Sequence, residues 1–120
     1  MAMTEYLVGI MYHEPESFAQ WKRGLIEDYE SSTGLFIEAD SPEAAVAWGE
    51  RVGEKLLRQA NSDATLDWKR LGYFCWLESM PSESNWQHCL EFFQHVKAGQ
   101  MPELDRMRTD SYSRWLREAR

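Results

Sequence analysis

His13 with Glu14, Asp40 with Ser41, and Glu78 with Ser79 close three largely apolar stretches of the chain, and they are residue types that acid–base chemistry uses. An imidazole oriented by a carboxylate can take up a proton near neutral pH, and a second carboxylate can return one. If the three stretches are strands running in one direction, their trailing ends meet on a common rim, where open α/β sheets place ligands. His13, Glu14 and Asp40 are then candidate catalytic groups, with Ser41 and Glu78 as candidate ligand-binding neighbours. A plainer account also exists: Glu14, Asp40 and Ser41 suit helix N-termini, and His13 suits a strand end at the surface.

A second constellation is His88, Glu91 and His95. On a helix these three fall within about 60° of one another, so two imidazoles and a carboxylate could be offered to a metal ion. The i to i+7 reach is longer than the i to i+4 histidine pair that zinc sites use, and a solvated helix face explains the same spacing. No metal site is therefore assigned. Cys89 follows His88 directly, but adjacent residues point in different directions on a helix and a nucleophilic thiol needs its base in space. With Cys75 it is read as a small buried hydrophobe in a reducing compartment. The chain contains no Gly-rich phosphate loop, Gly-x-Ser-x-Gly turn or Cys-x-x-Cys pair, which removes the usual cofactor and nucleophile signatures and points away from an enzyme.

The elements that must position these groups follow from the hydrophobic pattern. Residues 5–13 are β-formers around Gly9 and read as a central strand. Pro15 opens a helix to about Ser31, with Phe18, Trp21, Leu25 and Tyr29 on one stripe. Leu35 to Ala39 is a second strand. At its end Ser41-Pro42-Glu43 is a helix start: a capping hydroxyl, a proline at the first helical position and an acid at the positive end of the dipole. The helix runs from Pro42 to about Ala60, with Glu54 and Arg58, and Glu50 and Lys55, as neighbouring charges. Trp68 to Glu78 reads as a longer third strand, and Asn85 to Ala98 as a third helix closed by Gly99. A mostly polar C-terminal helical segment spans about 102–119.

The order β-α-β-α-β-α-α, with one helix in each of the first two crossovers, predicts consecutive parallel strands. The expected fold is a single α/β or α+β domain, a three-stranded sheet with helices packed on it. Its edges would be left open, so pairing with a second copy is one way to cover them. The segment Tyr12-His13-Glu14-Pro15-Glu16-Ser17-Phe18 resembles the opening of small ferredoxin-like dimeric α/β proteins over that segment alone, and no residue role is taken from it.

Composition narrows the partners. The chain has 120 residues and a net charge of −7. Residues 1–67 hold 13 acids and 5 bases, a charge of −8, and residues 68–120 hold 7 acids and 8 bases, a charge of +1. An acidic body repels phosphate backbones, which argues against nucleic acid. The apolar runs are far shorter than the ~20 residues that span a bilayer, and the N-terminus lacks the basic and apolar blocks of a secretory signal. A cytoplasmic chain without a membrane partner is expected. Six tryptophans exceed ordinary usage, and Trp68, Tyr73, Trp76, Tyr112 and Trp115 are candidate interface anchors beyond what the core requires. The expected function is a small acidic interaction or regulatory module working through protein–protein contacts, self-associating as a homodimer. Two alternatives are an enzyme or small-ligand binder on the strand-end rim, and an immunity-type inhibitor of a basic partner.

Overall fold

The computed structural model describes residues 3–13, 23–24, 30–70, 73–84 and 86–118. Two ten-residue strands, β1 (Thr4–His13) and β2 (Glu30–Ala39), pair antiparallel along their full length, from Thr4 opposite Ala39 to His13 opposite Glu30. A helix, α1 (Pro42–Asn61), follows, then two short strands, β3 (Cys75–Glu78) and β4 (His95–Lys97), and a final helix, α2 (Thr109–Glu118). β3 lies antiparallel on the free side of β1 and β4 parallel on the free side of β2, giving the sheet order β3-β1-β2-β4. The fold is α+β with a mixed four-stranded sheet.

Alternation along the strands divides the molecule into two layers. Val8, Ile10 and Tyr12 of β1 and Leu35 and Ile37 of β2 turn to one face, where Ala45, Val52, Leu56 and Leu57 of α1 cover them. All of these are almost fully buried. The helix can sit this close because its contact stripe carries Gly49 and Gly53 where a side chain would collide. A Cβ on Gly49 would stand 2.7 Å from Val8 Cγ1, and one on Gly53 3.0 Å from Ile10 Cγ2. Ser41 caps the helix as its residue type predicts: its extended backbone enters the first turn and its Oγ accepts a hydrogen bond of 3.1 Å from the Ala44 amide. Trp68 completes this layer, fully buried, and its indole N–H donates to the Met11 carbonyl at 3.0 Å.

The other face is covered mainly by rings. Leu7 and Phe36, opposite each other on β1 and β2, lie beneath Trp86, Phe92 and Phe93 and the α2 residues Tyr112 and Trp115. Gly9 and Gly34 are also directly opposed on this face, and together they leave a shallow floor. A methyl group on Gly9 would enter the Trp76 ring, and one on Gly34 would stand 2.6 Å from the Phe93 ring. The rings stack from this floor outward: Trp76 on Trp86 at 5.6 Å, Trp86 edge-on to Phe93 at 5.1 Å, and Phe92 edge-on to Tyr112 at 5.2 Å.

Several sequence expectations are corrected. The strands do not all run parallel: β1 and β2 are antiparallel despite the long connection between them, because a long connection permits either direction and only a tight turn is diagnostic. Among the described residues the sheet has four strands. The second begins at Glu30, five residues before the predicted start, and the third is confined to Cys75–Glu78 after a turn at residues 68–70. Residues 90–92 form a single 3-10 turn and 95–97 a strand where a third helix was predicted. The open edge of β2 provides the reason, since Phe36 N–H donates to the Gln94 carbonyl at 3.0 Å and Ala98 N–H to the Glu38 carbonyl at 2.9 Å. Gly99 does adopt the left-handed backbone expected of it, φ +97°, but it turns the chain out of a strand. The predicted helix over 15–31 lies largely outside the described residues. Within it, Gly24 has φ +75° in a turn, and Glu30 and Ser31 already belong to β2.

Candidate functional site

The antiparallel register separates the residues expected on a common rim. His13 ends β1 beside Glu30, whereas Asp40 follows Ala39, whose partner is Thr4, nine positions along the same ladder. At about 3.4 Å per residue the two backbones are roughly 30 Å apart, too far for one substrate or a shared proton. Glu78 pairs with Leu7 and lies nearer the Asp40 end, where its carboxylate accepts a long hydrogen bond of 3.4 Å from the Trp76 indole. Ser41 is occupied as the helix cap. Glu14 is outside the described residues. The structure therefore does not bring His13, Asp40 and Glu78 together.

The metal candidates are dispersed in the same way, because the helix that would have aligned them is absent. His88 Nε2 is 3.2 Å from the Tyr112 hydroxyl, His95 Nδ1 is 2.7 Å from Glu5 Oε2, and Glu91 sits exposed in the 3-10 turn. Among the described residues no three histidine, cysteine, aspartate or glutamate side chains converge on a point that could hold a metal. His95 instead stacks flat on Phe36, ring centres 4.6 Å apart, and fastens β4 to the sheet. Of the interface candidates, Trp68 and Tyr73 are consumed by the core, while Trp76, Tyr112 and Trp115 remain partly accessible in the aromatic layer.

Two features that residue spacing did not disclose emerge instead. The first is the outer edge of β3. Leu77 within the strand and Phe74 and Met80 beside it are 37%, 51% and 55% exposed, and the strand has β1 on one side and no described strand on the other. The Phe74 carbonyl accepts from Met11 N–H at 3.2 Å, so by the alternation of an antiparallel ladder the amide and carbonyl of Cys75 and Leu77 point outward. Basic Lys69 and Arg70 stand before this strand, and acidic Glu78 and Glu83 close it and follow it.

The second feature is a cavity of about 170 Å³ within the aromatic layer, walled by Trp86, Phe92, Phe93 and Met107. The rest of its lining is polar: His88, Cys89, Arg108, Tyr112 and the β2 residues Ser32 and Thr33. The Cys89 thiol donates to the Trp86 carbonyl at 3.4 Å and also contacts the Tyr112 hydroxyl, which reaches His88. Burial pushes the Cys89 thiol up from its ordinary value, and burial, followed by the nearby cysteine, raises the Tyr112 phenol. Both groups stay protonated near neutral pH, so the site offers hydrogen bonds rather than a thiolate nucleophile. The sequence holds a signal for it in the ring-rich stretch 86–93, whose spacing equally fits the apolar stripe of a helix.

No described helix is long and apolar enough to cross a membrane. In comparisons with protein-family models, curated proteins and solved structures, nothing matches the chain.

Proposed function

We propose that this protein is a small acidic interaction module that works through protein–protein contacts, and that its β3 edge docks against the same edge of a second copy. The observation that carries this reading is a strand whose outward amides and carbonyls face no neighbouring strand among the described residues, with Leu77 exposed in it and Phe74 and Met80 exposed beside it. Soluble proteins usually blunt such an edge with charge, proline or a covering segment, and an uncovered apolar edge is a template for another strand. Charge selects the partner and its direction. Antiparallel pairing about a two-fold axis sets Arg70 of one copy towards Glu78 and Glu83 of the other, while Lys69 already pairs with Glu50 of its own chain at 3.1 Å; parallel pairing would oppose like charges.

An edge of four strand residues is short, and stable complexes bury about 1,200–2,000 Å² in total. The dimer is accordingly weak and concentration-dependent. Sedimentation velocity across a dilution series tests it. The expected result is a monomer–dimer equilibrium that Leu77→Lys shifts to monomer without lowering the melting temperature. A wild-type chain that stays monomeric up to about 1 mM, or a dimer indifferent to Leu77→Lys, removes the edge from consideration. The alternative reading, an enzyme or small-ligand binder using the strand-end rim around His13, Glu14 and Asp40, draws no support from the register, which sets His13 and Asp40 at opposite ends of the β1–β2 ladder.

A further inference from the structure

We infer that the hollow beside Trp76 and Trp86, at the margin of the aromatic layer, binds an organic cation through an alkylated ammonium head, the trimethylammonium group that choline carries. The inference does not rest on self-association. Glu78 and Glu83 also flank the β3 edge, so a bound cation and a second copy are competing uses of the same carboxylates, and the monomer is the form to titrate.

Three observations converge on that ligand class. The first is the pair of rings. Trp76 lies over Gly9 and stacks on Trp86, ring centres 5.6 Å apart and planes 29° from parallel. Offset stacking at that separation leaves part of each ring uncovered, and both side chains are partly exposed and border a hollow of about 400 Å³. An indole is the best of the aromatic rings at attracting a cation, which its negative face does within about 6 Å of the ring centre. The second observation is charge. Glu78 and Glu83 line the same hollow, and among the described residues that line it there is no lysine, arginine or histidine. Alternation along β3 puts Glu78 on the same face as Trp76, and its Oε2 accepts a long hydrogen bond of 3.4 Å from the Trp76 indole N–H. That contact sets a carboxylate at the edge of the ring, so ring and charge act on one guest.

The third observation is how the polar atoms of the hollow are already engaged. Ser84 Oγ donates to the Pro81 carbonyl at 2.7 Å and accepts from the Trp86 amide at 3.2 Å, and Glu78 takes the indole N–H. Two carboxylates attract any cation, and the rings select among them. A primary ammonium is compact, strongly hydrated and carries three N–H donors that each need an acceptor. A trimethylammonium head has no donor to satisfy, and its methyl groups pack on ring faces while its charge is felt by the carboxylates. The chain as a whole, at −7, draws cations and repels anions. A volume of about 400 Å³ lies within the usual range of small-molecule pockets and admits such a head with a short aliphatic tail.

The test is a titration of dilute, monomeric 15N-labelled protein with four probes: choline, N-acetyl-trimethyllysine amide, ethanolamine and dimethylbutanol, the uncharged carbon isostere of choline. Choline and the trimethyllysine derivative are expected to bind with a Kd on the order of 1 mM, as very small ligands do, and to shift the indole resonances of Trp76 and Trp86. The tighter of the two names the source of the head group, a free molecule or a modified side chain. Dimethylbutanol, which lacks the charge, and ethanolamine, which lacks the methyl groups, should each bind about five-fold more weakly. Glu78→Gln combined with Glu83→Gln should weaken choline about five-fold without lowering the melting temperature, and Trp76→Leu should abolish its binding. Should Trp76→Leu fold poorly, the double glutamine variant, which keeps an acceptor for the indole N–H, carries the test alone. An isostere that binds as well as choline, a double variant with an unchanged Kd, or shifts confined to other tryptophans overturns the inference. A β3 edge that fails to dimerise leaves every one of these expectations in place.

Discussion

Gly9 and Gly34 show how much of this molecule depends on the absence of a side chain. They stand opposite each other on the two central strands, and the rings of Trp76 and Phe93 occupy the space that two methyl groups would fill. Gly34→Ala should destabilise the fold by about 1–3 kcal/mol, the usual range for overpacking, as read by urea denaturation; a neutral or stabilising result would mean that Phe93 is not seated there. Cys75 gives a second residue-scale expectation. Burial, with the Glu50 carboxylate behind it, holds the thiol protonated far above its ordinary pKa of 9.0. The unfolded chain sheds that proton near pH 9 and the folded chain keeps it, so the unfolded state binds fewer protons and stability falls as pH rises beyond 9. Below pH 9 the contribution is complete. The melting temperature should decline from about pH 9 to 11, and Cys75→Ala should flatten that decline; equal slopes in the two proteins would show that Cys75 does not couple folding to pH.

At the scale of elements, α1 was legible to within a residue, from Pro42 to Asn61, because several independent signals coincide on it: cap, proline, acidic first turn and an apolar stripe. Removing one of them has a definite cost. Ser41→Ala should lower stability by about 1 kcal/mol by stripping the hydrogen bond to the Ala44 amide, while Ser41→Asp should retain it. Thermal unfolding of the three proteins checks both, and equal melting temperatures would deny the cap any role. The stretch 85–98 misled for a physical reason. Trp86, Cys89, Leu90, Phe93 and Val96 recur at helical intervals, yet periodicity records only that one side is covered. Here aromatic residues lie across a sheet face, and the unpaired edge of β2 captures the final three residues as a strand. Nothing in the local sequence reports that this edge is open. The positive φ of Gly99 was foreseeable from its type, but the element it terminates was not.

For the whole molecule, composition and burial pattern suffice for a compact α+β unit, whereas strand direction depends on contacts between distant residues. One reversed strand was enough to separate His13 from Asp40, so a site inferred from strand ends is only as sound as the topology behind it. Charge likewise acts at this scale: with −7 on the chain, two copies repel at long range, and in the proposed dimer only the β3 flanks would offset that repulsion. Moderate salt should therefore strengthen self-association by screening the net charge, and salt near 1 M should weaken it by screening the flanks as well; sedimentation from 0.05 to 1 M NaCl reads both limbs, and a monotonic response would assign the contact to one term alone. The brevity of β4 has a further outcome. Three residues join it to β2 and rings secure the rest, whereas α1 grips both central strands, so the molecule has two tiers of unequal cohesion on a common floor. Native-state hydrogen exchange should find the amides of residues 94–98 opening well before those of β1 and α1, a detachable ring-built lid above a scaffold that outlasts it.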